Sequence, residues 1–135
     1  MSGQPDQHAI AIQWIKKGDH DLITAVHTLS LTEQCPYDTI CFHAQQCVEK
    51  YVKALLLHYK IGFPKSHDLS ELVALLPSEI KIPLTKNEQS KLTDYAIAGR
   101  YPIDDMEELT RPDAEEAVRL AEKIKAYIKN HLKIK

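Results

Sequence analysis

The chain has 135 residues, 44% of them hydrophobic and 27% charged, with a formal net charge of −2. That length suits one domain, residues 1–135, with a core of its own, and the near-neutral balance excludes both a broadly basic nucleic-acid binder and an acidic, solvating tail. No apolar run approaches the roughly 18 to 20 residues needed to cross a bilayer, and the stretch Met1 to Gln7 lacks the cationic and then apolar order of a leader, so a cytoplasmic protein that meets no membrane is expected.

The first helix is expected over about residues 6 to 30, because Trp14, Ile15, Gly18, Leu22, Ala25, Val26 and Leu29 repeat at three and four. Gly18 costs helix propensity and marks a point of close packing. The pattern breaks at Leu31 to Cys35, and Pro36 suits the first helical position of a long second helix that runs to Lys60. Gly62 and Pro64 end it. Ser66 or Asp68 can cap a short third helix with Leu69, Leu72, Val73, Leu75 and Leu76. Thr85 with Glu88 matches a capping box and opens a fourth helix through Ala98, which Gly99 stops. Residues 100 to 109 read as an acidic, extended loop. Thr110 with Asp113, and Pro112 in the first turn, opens a last helix whose inner face carries Ala114, Ala117, Val118, Ala121, Ile124, Ile128 and Leu132.

Nothing alternates with the period of two that a half-buried strand needs. The fold class is therefore all-α, an up-and-down antiparallel bundle of four main helices plus a short one. Cys35, Cys41 and Cys47 are an odd set; Cys41 and Cys47 would lie about 120° apart on one helix, where they cannot bridge. They read as small buried groups in a reducing compartment. Neither CxxC nor HxxxH occurs, so no metal is expected, and isolated glycines give no phosphate-cradling loop.

Three polar clusters stand out. On the second helix Gln46, Glu49, Lys50 and Lys53 gather opposite a broad apolar arc of Tyr37, Ala44, Val48, Tyr51, Leu55 and Tyr59. That strip is either solvated surface or the wall of a shared groove. The second cluster is Lys65 to Leu69, where Asp68 can complement a helix dipole; the third is Gly99 to Pro102, where Arg100 can cap carbonyls or hold a phosphate. His20 and His27 can share a face with Asp19 or Asp21, and His43 has no partner visible in sequence.

The order of Gln45-Gln46 and Glu49-Lys50, Lys53-Ala54-Leu55-Leu56, His67-Asp68-Leu69, Ala98-Gly99-Arg100-Tyr101-Pro102 and Ala114-Glu115-Glu116-Ala117 resembles the HEPN (higher eukaryotes and prokaryotes nucleotide-binding) domain over about residues 8 to 132. The resemblance implies a helical bundle that commonly forms a homodimer and handles nucleotide or RNA. In prokaryotes it also implies frequent pairing with a minimal nucleotidyltransferase in toxin–antitoxin-like modules. Many HEPN ribonucleases carry an arginine followed four to six residues on by a histidine, whereas Arg100, Arg111 and Arg119 reach no histidine in that window. Cleavage through a 2′-hydroxyl needs a base or acid near neutral pKa and a cation on the phosphate. The leading expectation is thus a module without its own catalytic motif or cofactor, binding a nucleotide or a nucleotidyltransferase partner through Lys53, His67, Arg100 and Tyr101, with Gln46 and Glu49 orienting them. The alternatives are an atypical metal-independent ribonuclease using Arg100 and His67, and a protein-interaction module.

Overall fold

The computed structural model describes residues 6–99, 102 and 107–134. Five helices follow in order: α1 (Gln7–Leu29), α2 (Tyr37–His58), α3 (Leu69–Ala74), α4 (Lys86–Ala98) and α5 (Arg111–Leu132). No strand occurs among the described residues.

The helix starts follow from side chains that accept otherwise unpaired N–H groups. Asp68 accepts from Ser70 and Glu71, Thr85 pairs reciprocally with Glu88, and Thr110 pairs reciprocally with Asp113. Two boundaries differ from expectation. Pro36 is the N-cap of α2, not its first helical residue, and makes no side-chain cap. At the far end the chain turns at Lys60, whose φ is 58°, and the Ile61 N–H returns to the Leu56 carbonyl; the reversal precedes Gly62.

Helix directions are fixed by cross-contacts. Asp21 meets His43 and Lys50 while Lys53 sits over Trp14, so α1 and α2 are antiparallel. Arg111 donates to the carbonyls of Leu29 and Leu31, and Lys129 reaches Asp19, so α5 is antiparallel to α1. Consequently α2 and α5 run parallel, joined by Arg111 over Tyr37 at one end and by Tyr59 with His131 at the other. At its end α4 lies against the start of α2, with Gly99 close to Phe42.

This makes α2 the central helix, in contact with α1, α3, α4 and α5. Ile40, Ala44, Cys47, Val48, Tyr51, Val52, Leu55 and Leu56 are all fully buried. Four helices share its surface. Gly18 is the close approach between α1 and α2: a Cβ there would lie 3.3 Å from the Cys47 carbonyl oxygen and from the Tyr51 ring.

Candidate functional site

Most of the polar strip of α2 is sealed from solvent, with Lys50 left half-buried. Glu49 is 3% exposed, Lys53 7% and Gln46 8%. Burial of charge requires partners, and the strip supplies them. Glu49 Oε2 accepts from Lys53 Nζ at 2.9 Å, and Glu49 Oε1 accepts from Gln45 Nε2 at 2.9 Å. Gln46 Nε2 in turn donates to Gln45 Oε1 at 2.7 Å. The Lys53 ammonium also lies 5.5 Å from the ring centres of both Trp14 and Phe63, which meet edge to face. Aromatic faces compensate a desolvated cation, so Lys53 is fixed between two rings and one carboxylate.

His67 enters this network from outside. The segment after α2 folds back so that Phe63 covers Trp14, and His67 Nδ1 comes 2.7 Å from Glu49 Oε1. Its side chain remains 47% exposed while that of Glu49 is 4% exposed. The ring is held at Nδ1 while about half of its side chain faces solvent. Among the sequence-derived site residues, Glu49, Lys53, His67 and Gln46 are therefore one connected group, with Gln45 as its unforeseen link. Arg100 and Tyr101 lie outside the described residues.

A second polar group lies between α1 and α2. Asp21 accepts from Lys50 Nζ at 2.5 Å and pairs with His43 Nδ1 at 2.9 Å. Burial pushes the Asp21 carboxyl up, but hydrogen bonds from His43 and Lys50 and the charge of Lys50 outweigh it, so its pKa falls below the ordinary 3.8. Asp19 behaves alike: burial raises it, whereas the Tyr51 hydroxyl, Lys129 and Lys125 lower it further. Both aspartates thus turn to α2 and α5. They leave His20 and His27 without the carboxylate partners that adjacency in sequence suggested.

The remaining candidates have little chemistry. Burial pushes the Cys41 thiol up to about 12 and raises Cys47 as well, so neither is a nucleophile near neutrality. Among the described residues no three His, Cys, Asp or Glu side chains are grouped as metal ligands, and no helix is long and apolar enough to cross a membrane. A hollow of about 290 Å³ beside α3 is lined by Asp68, Ser70, Ser90, Thr93 and Asp94, and its two carboxylates disfavour an anion.

The HEPN domain model matches residues 11–131, and the chain belongs to this family. It is 32% identical over 137 residues to a Methanocaldococcus jannaschii protein named "Putative toxin MJ1304", covering 90% of this chain and 88% of that protein. Its fold is similar to that of the crystal structure of TT1696 from Thermus thermophilus, with a TM-score of 0.74 at 30% identity over 89% of this chain and 96% of the other. It is also similar to ST0689, an archaeal HEPN homologue, with a TM-score of 0.60 at 25% identity over 90% and 96% of the two chains.

Proposed function

We propose that this HEPN domain is one half of a toxin–antitoxin-type pair, working in the cytoplasm as a homodimer, and that the strip of α2 is where it takes a nucleotide or RNA. The observation that carries the proposal is the open His67 ring anchored on the sealed Glu49. Similarity to the archaeal relative, through its toxin name, supports the pairing. In this reading Lys53 and Gln46, with Gln45, hold Glu49 in place, His67 donates to the ligand, Arg100 makes the phosphate contact and Tyr101 stacks on a base. A minimal nucleotidyltransferase is the proposed partner chain. Calorimetric titration with ATP, GTP and a short single-stranded RNA, with Arg100→Ala in parallel, tests the site. Saturable binding of one ligand, lost in the variant, is the expected result; no heat with any of the three overturns it.

One observation favours a second reading, an atypical ribonuclease. A ring that gives its Nδ1 hydrogen to a buried carboxylate presents Nε2 as a proton acceptor, the arrangement used by general bases. Incubation of the protein with RNA in the absence of metal separates the readings. Cleavage abolished by His67→Ala supports the enzyme; intact RNA rejects it.

A further inference from the structure

Two imidazoles beside α2 are held alike, each by a carboxylate that also takes a lysine. His67 Nδ1 lies 2.7 Å from Glu49, whose other oxygen takes Lys53; His43 Nδ1 lies 2.9 Å from Asp21, whose other oxygen takes Lys50. Both carboxylates are nearly sealed, with side-chain exposures of 4% and 11%, and both imidazoles are open, at 47% and 28%. The clusters arise independently, one from the pairing of α1 with α2 and the other from the segment before α3 folding onto α2. They flank Gln46, since His43 precedes it by three residues and Glu49 follows it by three. His43 and Glu49, six residues apart on α2, are separated by about 9 Å along the helix axis and about 120° around it, so a ligand that meets both rings must cross the face carrying Gln46.

The charge of each cluster depends on its imidazole. Aspartate with Lys50, and glutamate with Lys53, are formally neutral pairs. A neutral ring whose Nδ1 hydrogen goes to the carboxylate offers only a lone pair at Nε2, which repels an anion. A second proton turns Nε2 into a charged donor. We propose that His43 and His67 together form a proton-linked site for a phosphodiester backbone, each ring taking up one proton as the ligand binds. This rests on the nucleotide- or RNA-binding reading above, and it adds His43 and a regulation by pH. His43 faces Asp21 from α1 and Lys50 and the Phe42 ring from α2. His67 faces Glu49 from α2, with Lys53 on the opposite carboxylate oxygen and Asp68 next in sequence; Asp94 of α4 shares the adjoining hollow with Asp68.

The test is calorimetric titration of the full chain with a short oligothymidylate lacking terminal phosphates, at fixed ionic strength, between pH 5 and 8. Diesters do not titrate there, whereas terminal phosphates do near pH 6, and the deoxy probe has no 2′-hydroxyl to react. As the imidazoles lose their protons, affinity is expected to fall by up to about a hundredfold per pH unit, the signature of two linked protons. In His43→Gln or His67→Gln the fall is expected to be about tenfold per unit, and in the double variant no dependence remains. Circular dichroism melts show whether each variant folds. In the unaltered protein, the ring resonances of both histidines are expected to titrate at higher pH when the probe is bound, and these resonances decide the matter if a variant does not fold. Binding that ignores pH, or a pH dependence unchanged by His43→Gln, overturns the inference while the ligand-binding reading stands. An absence of binding at every pH overturns the inference, and the titrations with ATP, GTP and RNA then decide the ligand-binding reading on their own.

Discussion

Asp21 is held below the ordinary carboxyl range by His43 and Lys50 against the opposing effect of burial, and this depression has a consequence for stability. A carboxyl whose folded pKa lies below its unfolded value adds stability above the unfolded value, and that stability is lost as pH falls through the folded one. Asp19 has the same sign. Resistance to urea unfolding is therefore expected to fall progressively below about pH 4. Asp21→Asn should cost about 1–3 kcal/mol at pH 7, and the difference from the unaltered protein should shrink as the pH falls toward 2. A difference that persists at the acid end would mean that Asp21 acts through shape alone. Glu49→Gln should be worse, because it strands the Lys53 ammonium between Trp14 and Phe63; a loss of about 3–5 kcal/mol is expected for breaking a buried pair from one side. At this scale the sequence was legible only where partners are near neighbours. Glu49 and Lys53 stand four apart on one helix and could be seen together, as could Gln46 beside them. The His67–Glu49 and His43–Asp21 contacts join residues 18 and 22 apart in the chain, and only the packing of helices reveals them.

The helices themselves were largely legible, because their ends are written in local chemistry. Thr85 with Glu88, Thr110 with Asp113, and Asp68 ahead of Leu69 each act over two or three residues, and all three cap as the spacing suggests. Thr110→Ala should destabilise the protein by about 1 kcal/mol, readable as a lowered melting temperature. What spacing cannot show is the role of a residue that ends one helix by touching another. Gly99 terminates α4 with φ at −79°, so its backbone does not require glycine. Its environment does, since a Cβ there would fall 2.2 Å from Phe42 Cβ. Rotation of the Phe42 ring cannot relieve that clash, as Cβ does not move with the ring. Gly99→Ala is expected to cost about 1–3 kcal/mol by overpacking, and Phe42→Ala should fail to rescue it because the offending atom remains. Rescue by Phe42→Ala in thermal melts would show that the helices instead separate by a small shift. The same limit explains why the strip of α2 was read as surface or groove wall. A helical period shows which residues share a face; it does not show that α1 and the segment before α3 supply the partners that let this one be buried.

For the molecule as a whole, the net charge of −2 opposes any long-range attraction to nucleic acid, so affinity must come from a few placed groups. Within the strip the lysines are already committed: Lys50 to Asp21, and Lys53 to Glu49. In the proposed site, the groups left to meet phosphates are the two imidazoles, when protonated, together with the contact from Arg100. Single-stranded ligands release about 0.7 counterion for each phosphate neutralised, so three such contacts give a slope of log affinity against log salt of about −2. At pH 8, above the ordinary imidazole range, the same slope should fall below about 1 in magnitude if the proposal holds, since only the arginine contact then counts. Measuring both slopes with one oligothymidylate separates this arrangement from a diffuse cationic surface. A surface of lysines such as Lys16, Lys17 and Lys65 would give a steep slope that barely changes with pH, because ammonium groups keep their charge across that interval.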